Sequence, residues 1–250
     1  MRNRVEIDFS PLNKFNSLAS NEKTLTDTIN YLSTKNKVLL LSTSNRWEGG
    51  KYEAAKSTQL ATFVNTQLGD KATHLDISKL NIEICQGNVS TNLGNRCGIK
   101  DATLQDKEKN PTGFHRCWAS IEDDDDELWK VSQPLFQSDA VVFFTSIRWG
   151  QTNSLYQKLI ERLCWIENRH TTLGEDNIVK GIDAGIIALG QNWNGEQVIS
   201  TQTKVLGFYG FQVPKEISWN WQYTTNALDE SQESYKNANV EFKDTFLNKS

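Results

Sequence analysis

Apolar residues in this chain fall into short unbroken runs, and longer stretches with helical periodicity separate them. The runs over residues 37–42, 72–77, 140–145, 184–189 and 208–213 read as strands. In 37–42 and 140–145 the lack of alternation is the mark of a parallel sheet covered on both faces. Between them, Leu60, Ala61, Val64 and Leu68 share one helical face, as do Leu155, Tyr156, Leu159, Ile160 and Leu163. Further helices are predicted near residues 22–32, over 127–136, where Pro134 limits the length, and over 196–206. Strand and helix in alternation predict an α/β fold with a doubly wound, five-stranded parallel sheet.

The pattern divides the chain. Residues 1–36 form a polar N-terminal extension, 37–225 the α/β domain, and 226–250 a C-terminal polar helix or tail. Residues 85–126 are irregular and rich in Gly and Asn. In sheets of this kind ligands bind beyond the carboxyl ends of the strands. Three strands end in polar loops of small residues, at 42–46, 145–154 and 190–196, and these together make the candidate site.

Composition narrows the partners. The 250 residues carry 27 basic and 31 acidic side chains, a net charge of −4 with no basic tract. Binding to a nucleic-acid backbone relies on surplus Lys and Arg, so no nucleic-acid partner is expected. No run approaches the roughly 20 apolar residues of a membrane span. The first residues lack the apolar core of a secretory signal, which predicts a cytoplasmic protein. Four cysteines are too sparse for a disulfide scaffold.

The first loop carries the clearest chemistry. Val38–Leu41 runs into Ser42-Thr-Ser-Asn-Arg46, and Lys56-Ser57-Thr58 opens the next helix. Backbone N–H groups at a strand–loop–helix junction favour an anion, and hydroxyls with a guanidinium complete a phosphate cage. A capping serine in an ordinary connection accounts for the hydroxyls equally well, but capping needs no cation such as Arg46. Neither glycine fingerprint of the common nucleotide loops is present, which leaves a flavin mononucleotide as first candidate. In the second loop Ser146, Arg148, Trp149 and Gly150 combine an aromatic wall, amides and a charge, a mixture that suits a flavin ring. Trp149 reads alternatively as packing. In the third, Gly190 and Gly195 permit close backbone approach beside Gln191.

Taken in order, these loops resemble the flavodoxin-like NAD(P)H-dependent FMN reductases, and in particular the branch with the iron–sulfur flavoproteins. Thr43-Ser-Asn-Arg46 stands at that family's Gly-Ser-x-Arg, Ser57-Thr58 at its Asn-Thr, and Ser146-Ile-Arg-Trp-Gly150 at its Pro-Val-Tyr-Trp-Gly. Ser138-Asp-Ala-Val-Val142 and Tyr156-Gln-Lys-Leu-Ile-Glu-Arg162 extend the similarity, which spans residues 37–213. The resemblance implies FMN at the strand ends, with Ser44, Arg46, Ser57 and Thr58 on the phosphate and Ser146, Arg148, Trp149, Gly150, Gly190 and Gln191 at the ring. It implies NADH or NADPH as co-substrate, a small-molecule acceptor such as a quinone, flavin or nitroaromatic compound, and a homodimer or homotetramer. An electron carrier of flavodoxin type and a flavin-free scaffold are the alternatives.

The cysteines depart from that family. Cys85 keeps only the first of its compact three, and Cys97-Gly-Ile-Lys-Asp101 keeps the fourth. A cubane cluster needs four thiolates, so no iron–sulfur cluster is expected. A zinc site of Cys85, Cys97, His115 and Cys117 lacks the usual chelating spacing, so no metal is expected there. Residues 102–122 read as an insertion, a lid or an interface segment. Asp123–Asp126 precede a helix whose dipole they complement, and His74 reads as structural.

Overall fold

The computed structural model describes residues 22–190, 193–224 and 229–248. Five strands run parallel in the order β2-β1-β3-β5-β6: β1 Val38–Ser42, β2 Ala72–Asp76, β3 Ala140–Arg148, β5 Asp183–Gly190 and β6 Trp219–Gln222. A two-residue strand, β4 Gln151–Thr152, pairs antiparallel with the end of β3. The helices are α1 Glu22–Ser33, α2 Lys56–Leu68, α3 Trp118–Glu122, α4 Trp129–Leu135, α5 Ser154–Arg162, α6 Cys164–Thr171, α7 Gly195–Phe208 and α8 Gln232–Phe246.

The unbroken apolar runs have the expected cause. Leu39, Leu41, Val141, Phe143, Ala184 and Ile186 point to one face, where they meet α4, α5, α6 and α7. Val38, Leu40, Val142, Phe144 and Ile187 point to the other, where they meet α1, α2 and α8. Both faces are dry, so the middle positions of the central strands are apolar and polar residues enter only toward their ends.

Three expectations are corrected. Residues 208–213 do not form the last strand. Phe208 closes α7, Gly210 turns the chain at φ 98, and only Gln212 bridges to the start of β5. Pro214, which has no N–H to give a ladder, ends that pairing, and a single 3-10 turn leads to the true edge strand at Trp219. The C-terminal segment is no exposed tail. Ala238, Phe242 and Phe246 of α8 are buried against Trp219 and Trp221. Likewise α1, placed in a polar extension, buries Leu25 and Leu32 and donates the Thr28 hydroxyl to the Glu216 carbonyl at 2.6 Å.

The irregular segment from β2 to α4 lies over the α5–α6 layer. Its anchor is a fully buried ion pair: Arg162 of α5 meets Asp126 at 2.8 Å and donates to the Glu83 carbonyl at 2.7 Å. Ser120 completes the cage with a 2.6 Å bond to Asp126. Asp126 is thus a buried partner and not part of a solvated acidic cap. Nearer α6, Arg116 and Arg169 share Glu175.

Candidate functional site

The sheet register brings the three predicted loops to one edge. β1 and β5 both pair with β3, so the ends at Ser42, Arg148 and Gly190 are neighbours. Thr43 prolongs β1 by one bond, from its N–H to the Phe144 carbonyl at 3.0 Å.

In the first loop Ser44 is buried, while Arg46, Trp47 and Tyr52 are exposed. The loop doubles back on itself through paired bonds between Gly49 and Tyr52. It delivers Ala55, an N-cap residue without a side-chain bond to offer, to the start of α2. The first-turn N–H groups of α2 therefore have no cap from that residue. Ser57 stands in this turn, 1% exposed, and its hydroxyl has no hydrogen-bond partner. A buried hydroxyl left unpaired costs about 1–3 kcal/mol unless something arrives to meet it. Beside it, burial holds the Lys56 ammonium below the usual lysine range, and the charges of Arg46 and Lys243 push it further the same way. Lys243 comes from α8 and is paired with Glu53, whose carboxyl it lowers. Lys56 at the helix start that Ala55 leaves uncapped thus lies within the field of exposed Arg46 and of the Glu53–Lys243 pair.

The second loop is not a loop throughout. β3 continues to Arg148, and Trp149-Gly150 make a two-residue turn back into β4. Both turn residues have positive φ, 51° and 72°, the signature of the hairpin turn that normally takes Asn-Gly. A bulky residue at such a φ is an outlier, and the Trp149 side chain is 90% exposed. Ser146 and Arg148 are accordingly strand residues. The Ser146 hydroxyl accepts from Asn153 at 3.0 Å, and Asn153 in turn caps α5 through the Tyr156 N–H.

The third loop packs onto this hairpin. The Trp193 ring lies over Gly150 so closely that a Cβ there would sit 2.1 Å from it. Asn194, at φ 67°, donates its amide to the Gly150 carbonyl. Gly190 belongs to β5, and its missing side chain makes room for Ile147, whose Cβ would lie 2.8 Å away. Gln191 lies outside the described residues.

Thus Ser44, Arg46, Ser57 and Thr58 meet at the β1–α2 junction, and Ser146, Arg148, Trp149, Gly150 and Gly190 at the adjoining ends of β3 and β5. Lys56, Trp193 and Asn194 complete the arrangement and were absent from the predicted set. Lys56 adjoined a predicted residue, whereas the Trp193–Gly150 contact has no local signature. His74 bonds to Ser42 at 2.9 Å, and burial holds its ring below the usual histidine range. His115 is buried, bonded to Ser132 at 2.6 Å and stacked on Trp165. Among the described residues no three His, Cys, Asp or Glu side chains are grouped to hold a metal ion. No helix is long and apolar enough to cross a membrane.

No family model matches the chain, and no curated protein does. Solved structures do. RosB, crystallised with bound 8-demethyl-8-formylriboflavin-5′-phosphate, is 15% identical over 84% of this chain and 74% of its own, with a TM-score of 0.54. The azoreductase AzrA is 14% identical over 83% of this chain and 97% of its own, with a TM-score of 0.48. An azoreductase from Bacillus anthracis is 14% identical over 84% and 97%, with a TM-score of 0.47. The likeness to RosB, together with the strand order, makes this chain a flavodoxin-like α/β protein.

Proposed function

We propose that this chain binds FMN at the strand ends and is an NAD(P)H-dependent flavin oxidoreductase acting on a small-molecule acceptor. The observation that carries the reading is the Ser57 hydroxyl, buried and unpaired in the first turn of α2 next to Lys56, on which the charge of Arg46 acts. A phosphate monoester supplies what that place lacks: acceptor oxygens for the hydroxyl and the N–H groups, and negative charge for the cations. RosB, a solved structure with this fold, holds a riboflavin 5′-phosphate derivative, which agrees with that chemistry.

Ser44, Ser57 and Thr58, with Lys56 and Arg46, hold the phosphate in this reading. The Trp149-Gly150 turn, Arg148, the end of β5 at Gly190 and the following Gln191 form the ring side, and Ser146 keeps the hairpin in place through Asn153. Bound FMN supplies hydride acceptance from NADH or NADPH and onward delivery to a quinone, a flavin or a nitroaromatic compound. The protein's own work is to fix the ring against the hairpin and to exclude water with the surrounding indoles. No acid–base pair is required of it. A second copy of the chain completing a homodimer or homotetramer belongs to the same reading.

Titration with FMN tests it, followed by absorbance near the flavin bands and quenching of flavin fluorescence. Saturable binding and steady oxidation of NADH or NADPH with a quinone are expected. A protein that stays colourless when FMN is added overturns the proposal. One that binds FMN but leaves NADH and NADPH unoxidised is an electron carrier instead.

A further inference from the structure

All four cysteines of the chain gather around the joint between α5 and α6, and the proposed function uses none of them. Cys97 and Cys164 lie 67 positions apart, yet their sulfurs are 3.5 Å from each other. The backbone enforces the approach. Gly98, at φ 76°, presses on the joint so tightly that a Cβ would lie 2.8 Å from the Trp165 carbonyl. Arg116 donates to the Gly98 carbonyl at 3.3 Å, and Trp118 donates its indole N–H to the Arg96 carbonyl at 2.7 Å. The Cys164 thiol is near enough to raise the Cys85 pKa, and Cys117 packs against the hydrophobic core to which Cys97 and Cys164 also belong. All four are free thiols; Cys97 is buried and Cys164 half-buried.

We propose that Cys97 and Cys164 are a latent disulfide site, oxidised by small organic disulfides and able to staple the irregular segment to the helical layer. Bond formation needs the sulfurs to close from 3.5 Å to about 2.05 Å. The balance is that of thiol–disulfide exchange. The more accessible Cys164 sulfur attacks a disulfide RSSR, giving a Cys164–S–S–R bond, and the departing RS⁻ takes up the Cys164 proton as RSH. Cys97 then attacks the Cys164 sulfur, and the second RS⁻ leaves with the Cys97 proton. Two thiols are oxidised and RSSR is reduced to two RSH. The hydrogen bond to Cys85 lowers the Cys164 pKa, but the one with Cys97 and burial outweigh it and hold the thiol above the usual range. Exchange is therefore slow at neutral pH, and the site stays reduced in ordinary handling.

The test uses the full chain incubated with cystamine. Free thiols are expected to fall from four to two, the mass to fall by about 2 Da, and a proteolytic fragment to link Cys97 to Cys164. The thermal midpoint rises by about 5–15 °C, as closure of a loop this long implies, and dithiothreitol reverses the rise. In the double variant Cys85→Ser/Cys97→Ser, which removes the two thiols that act most strongly on Cys164, the mixed disulfide is trapped on Cys164 as a stable adduct. Four intact thiols after prolonged incubation of the unsubstituted chain overturn the proposal, as do a Cys85–Cys164 link in place of the expected one and a double variant without adduct.

Discussion

Trp149→Asn separates what the hairpin tip does for the fold from what it does for a ligand. The wild-type residue sits at φ 51°, where a side chain other than Gly, Asn or Asp costs about 1–2 kcal/mol. It recovers little of this by burial. At 90% exposure only on the order of 25 Å² of the indole is covered, worth about 0.6 kcal/mol. Asn keeps the turn and removes most of the strain, so the substitution should stabilise the protein by about 0.5–1 kcal/mol, or raise the thermal midpoint by about 1–4 °C. If the indole is the wall against which the flavin ring rests, the same substitution loses about 0.5–1.5 kcal/mol of ring contact. The FMN dissociation constant then rises about twofold to tenfold. Thermal unfolding of the ligand-free protein and fluorescence titration with FMN measure the two effects independently. A variant less stable than wild type refutes the strain argument, and one with unchanged FMN affinity refutes the wall.

Further substitutions probe the remaining claims. Ser57→Ala removes a hydroxyl that has no partner, so stability should hold or improve while FMN affinity falls. Arg46→Ala, at an exposed position, should leave stability unchanged and cost about 1.5–3 kcal/mol of FMN binding, both read by titration and thermal melts. Arg162→Met strands the Asp126 carboxylate in a dry interior and should cost about 3–5 kcal/mol in denaturant unfolding. His115→Phe tests acid sensitivity. Burial depresses the His115 pKa to about 3, so below its unfolded value of about 6.5 the unfolded chain takes up a proton that the folded one refuses. Stability from this group is complete above about pH 6.5 and drains away as the pH falls toward 3. The variant should show a shallower loss over that window, and parallel stability–pH curves would refute the assignment.

The legible parts of the molecule were those in which one local pattern dictates one structure. Leu39, Leu41, Val141 and Phe143 announce a sheet dry on both faces, and α2 and α5 announce themselves by their buried stripes. The edge strand was hidden because Trp219-Asn-Trp-Gln alternates indoles with amides, whereas the more apolar stretch before Pro214 cannot hold a ladder. The hairpin was hidden for a similar reason. Its turn is built from Trp149 and Gly150, without the Asn-Gly that ordinarily marks one. At the site, hydroxyls and Arg46 were visible because they cluster in sequence. Lys56 gains its significance from burial and from the charge of Arg46 ten residues earlier, which only the folded loop brings into range.

These misses share a cause that bears on how the site is built. Each of its three loops hangs from a strand whose register with its neighbour is fixed by buried side chains on both faces. A one-residue slip in any of them would send Leu39 or Phe143 from one close-packed face into the other, where the core is already filled. The loops are therefore free to depart from ordinary turn chemistry: a tryptophan in the left-handed region, a helix start without a cap, a serine without a partner. Such departures are tolerated where the scaffold over-determines the backbone. Here they collect at the β1–α2 junction and the β3–β4 turn, beyond the carboxyl ends of two adjacent strands. The long segment from β2 to α4 is anchored by the ion pairs of Asp126 with Arg162 and of Arg116 with Glu175, although His115 Nε2 and Arg116 Nε are themselves buried there without partners. An unpaired atom alone therefore does not mark the site; at the strand ends the unpaired Ser57 hydroxyl coincides with an uncapped helix start and a strained, exposed tryptophan, and that coincidence argues for ligand recognition there.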